Sequence, residues 1–138
     1  MKKKLIVLVG TFTACAFVSP PVRAQLTSAA PRAARVHISK GPAVELVRDS
    51  WAIITWTSNN PGGSPEHFAV VHYGKTSTEL NQTAKSHVRL TPGHSDTVFR
   101  VRVTGLDPHT TYYYTVDSEE PNGTSNGAKS PVSSFSTQ

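Results

Sequence analysis

Short runs of alternating apolar and polar residues, cut by clusters of Gly, Pro, Asn and Ser, restrict the fold of this chain more than any other feature. Phe99, Val101 and Val103 alternate with Val98, Arg100 and Arg102, and Tyr112, Tyr114 and Val116 alternate with Tyr113, Thr115 and Asp117. A two-residue period places one set of side chains on each face of a strand. The first set in each run therefore faces a core, and the arginines face water. Ala69, Val71 and Tyr73 share a face in the same way. So do Ala52, Ile54 and Trp56, although Trp51 and Ile53 make the other side of that strand apolar too, as in a central covered strand or a contact surface. No window keeps a helical period for three turns. The expected strands are Arg35–Ser39, Ala43–Arg48, Ser50–Ser58, His67–Tyr73, Ser86–Leu90, Thr97–Thr104, Thr111–Ser118 and Val132–Thr137. Between them lie a kink at Gly41-Pro42 and loops at Asn59–Pro65, Thr91–Asp96, Pro121-Asn122-Gly123 and Asn126-Gly127, whose prolines and glycines cannot continue a ladder. This spacing predicts an all-β antiparallel sandwich.

The N-terminal part reads differently. Lys2-Lys3-Lys4 precede the apolar run Leu5–Val18, then Ser19-Pro20-Pro21 and Val22-Arg23-Ala24. Cationic, apolar and small-residue regions in that order predict a signal peptide over residues 1–24, cleaved between Ala24 and Gln25. The apolar run, about 14 residues, falls short of the roughly 20 that a membrane span requires. Two alternatives are an anchor that stays attached and a lipoprotein held through Cys15, where Phe12 departs from the usual leucine. A secreted or periplasmic protein with no membrane span after cleavage is expected. Gln25–Arg35 is small and polar, a flexible N-terminal segment, and residues 36–138 form one domain. Cleavage removes Cys15, the only cysteine, and with it any disulfide, thiol nucleophile, redox pair or thiolate zinc site. Four of the 14 Lys and Arg residues lie in the leader, leaving ten against nine acidic residues. Such a balance gives no electrostatic reason to expect nucleic acid or an anionic membrane as partner.

Chemistry-bearing patterns are few. The histidines (His37, His67, His72, His87, His94 and His109) never fall at the i, i+2 or i, i+4 spacing that aims two at one metal, and His67 and His72 sit on opposite strand faces. His94-Ser95-Asp96 has the residue types of a hydrolytic triad, but neighbours in a turn point apart. Asp117, Glu119, Glu120 and Asn122 are the calcium candidates, an oxygen-rich cluster that otherwise serves as a solvated loop tip. Arg100 and Arg102 project from one face, with Arg89 expected to reach it from an adjacent strand. These arginines either grip carboxylates or sulfates or keep a sheet edge soluble. Outward-facing Trp51, Ile53 and Tyr113 are the other candidates for contact with sugars or proteins. Asn81-Gln82-Thr83 and Asn122-Gly123-Thr124 fit the glycosylation acceptor pattern.

Gly105-Leu106-Asp107-Pro108-His109-Thr110-Thr111-Tyr112 resembles the corner before the sixth strand of a fibronectin type III domain. In that likeness Leu106 plugs the base of the sandwich, Pro108 fixes the turn, and Tyr112 buries its ring while its hydroxyl bonds back to corner backbone. Trp56 stands where that family keeps its core tryptophan, so Trp56, Leu106, Pro108 and Tyr112 are the expected structural core. A narrower resemblance runs through Ile54-Thr55-Trp56-Thr57, Val71-His72-Tyr73-Gly74, Tyr112-Tyr113-Tyr114 and Phe135-Ser136-Thr137, which look like the sandwich domain that precedes the catalytic domain of purple acid phosphatases. The resemblance implies an immunoglobulin-like sandwich of about seven strands without disulfide. It implies no catalysis and no cofactor, because that family's metal ligands belong to a separate α/β domain. The expected role is a monomeric, exported, non-catalytic module that binds an extracellular protein or polysaccharide or acts as a spacer. The alternative is an accessory subunit of a secreted metallophosphoesterase whose catalytic domain is on another chain.

Overall fold

The computed structural model describes residues 31–125 and 129–138. The leader, with Cys15, Ala24 and Gln25, and the Asn126-Gly127 turn lie outside the described residues. Seven strands follow in order: β1 (Ile38–Val47), β2 (Trp51–Asn59), β3 (Glu66–Gly74), β4 (Gln82–Arg89), β5 (Asp96–Thr104), β6 (Thr111–Glu119) and β7 (Ser133–Ser136). They form a three-stranded sheet, β1-β2-β5, facing a four-stranded sheet, β4-β3-β6-β7, with every pairing antiparallel. Among the described residues no helix is long and apolar enough to cross a membrane.

Side-chain parity positions the sheets. Ala52, Ile54 and Trp56 of β2 and Phe99, Val101 and Val103 of β5 point inward and are buried. Facing them are Ala69, Val71 and Tyr73 of β3 and Tyr112, Tyr114 and Val116 of β6. The β2–β5 register runs without a break from Trp51↔Thr104 to Asn59↔Asp96, so a one-residue slip would expose the whole inward set. Trp56 stacks on Phe99 at 5.2 Å between ring centroids, and Tyr112 stacks on Phe135 at 5.9 Å. The corner is built as the resemblance implies. Leu106 is buried, and the Asp107 amide donates to Tyr112 Oη at 2.9 Å. Thr137 Oγ1 donates to the Asp107 carbonyl at 2.6 Å, tying the chain end to the same corner.

Three expectations change. The two strands expected before residue 50 are one, β1, interrupted by register shifts near Lys40/Ala43 rather than broken at Gly41-Pro42. Gly41, at φ 84°, takes up the bulge, and a Cβ there would stand 3.1 Å from the Thr55 carbonyl oxygen. Strand β4 starts at Gln82 rather than Ser86, because Ala84, Ser86 and Val88 alternate half-buried with exposed neighbours, a weak pattern that β3 pairing extends. Pro108 is exposed and so belongs to the turn, not the core; its ring constrains the corner backbone without needing burial.

Residues 31–35, the described part of the N-terminal segment, lie against the sandwich. The Ala33 amide donates to the Pro61 carbonyl at 2.8 Å, and Asn59 Nδ2 donates to the Arg35 carbonyl at 3.0 Å. Asn59 Oδ1 accepts from the His37 amide at 2.7 Å, and Val36 between them is buried.

Candidate functional site

The outer face of the three-stranded sheet gathers part of the expected contact surface. Alternation along β2 turns Trp51, Ile53, Thr55 and Thr57 outward, and alternation along β5 turns Val98, Arg100 and Arg102 to the same side. The Arg102 guanidinium lies 4.2 Å above the centre of the Trp51 ring, a cation–π contact that holds a flexible side chain flat. Arg102 is exposed, and among the described residues no carboxylate pairs with it. Arg100 is engaged: its Nε and Nη2 donate to the two oxygens of Glu45 on β1 at 2.8 and 2.9 Å. At the other end of this face the β1 bulge opens a groove of about 380 Å³, lined by Lys40, Gly41, Ala43, Thr55, Trp56 and Val98. Val98 is 66% exposed, an apolar side chain open to water beside the Lys40 ammonium.

Hydrogen bonding from Arg100 holds the Glu45 carboxyl below the usual carboxylate range, against an opposing desolvation and with the guanidinium charge adding to the lowering. The fork is therefore intact at neutral pH and is lost as pH falls through that depressed value. In Arg100→Gln an NMR pH titration of Glu45 is expected to return to the ordinary glutamate range.

The remaining candidates are elsewhere. Arg89 is on β4 in the opposite sheet, beside Glu66 at 3.9 Å, so it does not join Arg100 and Arg102; β4 neighbours β3, not β5, in the ladder. Tyr113 is half-buried on the outer side of the four-stranded sheet and is separated from Trp51 by the whole sandwich. The calcium candidates disperse. Asp117 accepts from Ser125 Oγ at 2.8 and 2.9 Å, Glu119 pairs with Lys85, Glu120 pairs with Arg32, and Asn122 Oδ1 accepts from the Thr124 amide. Among the described residues no three His, Cys, Asp or Glu side chains are placed to hold a metal. In the 94–96 turn Ser95 Oγ donates to Asp96 Oδ2, while the His94 amide donates to the Thr91 carbonyl, so the three residues act as turn neighbours.

A polar cluster at one pole of the sandwich was missed in the sequence. His67 continues the inward parity of Ala69, Val71 and Tyr73, and Glu120 continues that of Tyr112, Tyr114, Val116 and Ser118. Both are buried, at 2% and 5% exposure, where the core ends. Arg32 Nη2 reaches Glu120 Oε1 at 2.7 Å. The period is the signal: composition groups Glu120 with Asp117 and Glu119, whereas parity turns it the other way.

Three strands against four, in the orders β1-β2-β5 and β4-β3-β6-β7 with a tyrosine corner, define a fibronectin type III-like sandwich. Residues 40–137 match the family described as purple acid phosphatase, N-terminal domain, and the chain belongs to that family. The match is to an accessory N-terminal domain rather than to a catalytic one. No curated protein matches the chain. Among solved structures it is similar to the sensor domain of the anti-sigma factor RsgI4 in Pseudobacteroides cellulosolvens, at 19% identity and TM-score 0.50, covering 74% of this chain and 88% of that one. That likeness shows the fold. A second structure of that sensor domain aligns at 22% identity and TM-score 0.48, covering 74% and 93%. The third fibronectin III domain of human KIAA0343 protein aligns at 18% identity and TM-score 0.41, covering 78% and 83%.

Proposed function

We propose that this chain is an exported, non-catalytic binding module whose contact surface is the outer face of the three-stranded sheet. The exposed Arg102 guanidinium held over Trp51 is the observation that carries the reading. A guanidinium at one end of this face and, at the other, a lysine beside an apolar groove fit a partner that presents carboxylates or sulfates next to apolar surface, an extracellular protein or polysaccharide. The leader's order of cationic, apolar and small residues supports the export part of this reading. The test is a pull-down from extracellular extract together with an array of acidic and neutral glycans, using the full chain and a Lys40→Gln/Arg102→Gln variant. Binding is expected to fall at least tenfold in the variant and to weaken with salt, since exposed charge pairs are screened beyond about 10 Å at 0.1 M. Binding that is equal in both proteins would remove this surface from consideration.

Family membership favours a second reading, an accessory to a metallophosphoesterase catalytic domain. Co-purification with phosphatase activity that requires iron or zinc would support it. Phosphatase activity in the purified chain itself would overturn both readings.

A further inference from the structure

We propose that residues 31–36 are a pH-sensitive strap: protonation of His67 beneath it draws Glu120 away from Arg32 and releases the strap from the pole of the sandwich. The seat is specific to this backbone. Gly62, at φ 63°, has no room for a side chain, because a Cβ there would stand 1.9 Å from the Pro31 carbonyl oxygen. A Cβ on Gly63 would stand 2.7 Å from Glu120 Oε1 and 3.4 Å from Arg32 Nε. The strap therefore presses directly on two glycines of the β2–β3 loop, fastened by the Ala33–Pro61 hydrogen bond and the Arg32–Glu120 ion pair, and at its far end by the Asn59–Arg35 hydrogen bond and buried Val36.

His67 lies under this seat with its Nδ1 buried and without a hydrogen-bond partner among the described residues. The groups that act on it are Glu120 from the segment after β6, Arg32 from the strap, and the backbone of Ser64 and Glu66 from the β2–β3 loop. On β4 its ladder partner is Val88, which does not titrate. The Glu66 carboxylate pairs instead with His87 and lies near Arg89. One buried carboxylate is thus shared between one permanent cation and one conditional cation. Neutral His67 leaves Glu120 to Arg32. Protonated His67 competes for Glu120 from the buried side, while the Arg32 guanidinium that it displaces is half exposed and already in contact with water.

Burial, foremost, lowers the His67 pKa while the strap is docked, and Glu120 opposes that shift. In the released state the ring is in water and titrates near the ordinary value of about 6.5. The released state therefore binds more protons, and docking weakens as pH falls below about 6.5, until the depressed docked value is passed. Linkage of one proton changes the released-to-docked ratio by up to tenfold per pH unit in that window.

Amide hydrogen exchange on the full chain between pH 8 and pH 5, corrected for the intrinsic exchange rate, tests this. The Ala33 amide reports the strap and the Val101 amide reports the core. The opening ratio at Ala33 is expected to rise up to tenfold per unit below pH 6.5, with Val101 unchanged, and to be flat with pH in His67→Gln. Gly62→Ala is expected to leave Ala33 unprotected at every pH. A pH profile in His67→Gln equal to that of the wild type, or no rise in the wild type, overturns the proposal. Should His67→Gln not fold, NMR titration of the His67 ring in the wild type decides. A midpoint coinciding with Ala33 opening supports the strap, and separated midpoints overturn it.

Discussion

Truncating Tyr112 to alanine is expected to lower the free energy of unfolding by about 3–5 kcal/mol in urea melts, the range for loss of a large buried ring. The ring is 2% exposed and packs on Phe135 at 5.9 Å and on Tyr73 at 6.2 Å, so its removal opens a cavity between the sheets. Its hydroxyl adds a separate contribution by accepting the Asp107 amide at 2.9 Å, inside a corner that Thr137 also ties down. Tyr112→Phe keeps the ring and leaves that amide without its acceptor, which costs about 1–2 kcal/mol. The two variants divide the corner into packing and hydrogen bonding. For a domain of ordinary stability, about 5–15 kcal/mol, the alanine variant is near the limit of folding. An unchanged denaturation midpoint for Tyr112→Ala would contradict the placement of this ring between the sheets.

The strands with the clearest two-residue period were the ones whose faces could be read directly. Phe99, Val101 and Val103 on β5, and Tyr112, Tyr114 and Val116 on β6, point inward as their alternation requires. The corner was legible for a different reason: Leu106, Pro108 and Tyr112 stand at the spacings of the fibronectin type III corner, so the resemblance carries the geometry. What was not legible depends on which strands become neighbours. Arg89 and Arg100 are both outward, yet they belong to different sheets, and periodicity along one strand says nothing about the sheet it joins. The same limit hid the pairing of Glu45 with Arg100, formed between strands β1 and β5 that flank β2. The polar pole was obscured by composition. A histidine and a glutamate read as surface residues, and only the inward parity of Ala69 and Val116, extended past the apolar run, puts His67 and Glu120 inside.

Phe99→Ala is expected to cost about 3–5 kcal/mol, whereas Val98→Ala next to it in the chain should fall within about 0.5 kcal/mol of the wild type. Phe99 is fully buried and stacks on Trp56 at 5.2 Å with an interplanar angle of 17°, and Val98 is 66% exposed. The contrast tests register more sharply than either value alone. A slip of one residue between β2 and β5 would exchange the two side chains between core and solvent, and the two variants would exchange magnitudes. Trp56 gives a second readout, because its emission reports the cavity that Phe99→Ala leaves beside the indole. It is expected to shift to longer wavelength there and to stay unchanged in Val98→Ala. Trp51, whose partner is the Arg102 guanidinium, lies on the outer side of the same strand and is not adjacent to that cavity. A double-mutant cycle completes the argument: Trp56→Ala and Phe99→Ala together should destabilise by about 0.5–1.5 kcal/mol less than the sum of the single variants, since each already removes their shared stack. Strict additivity would mean that the two rings do not touch, and the face of the core between β2 and β5 would then have to be assembled differently.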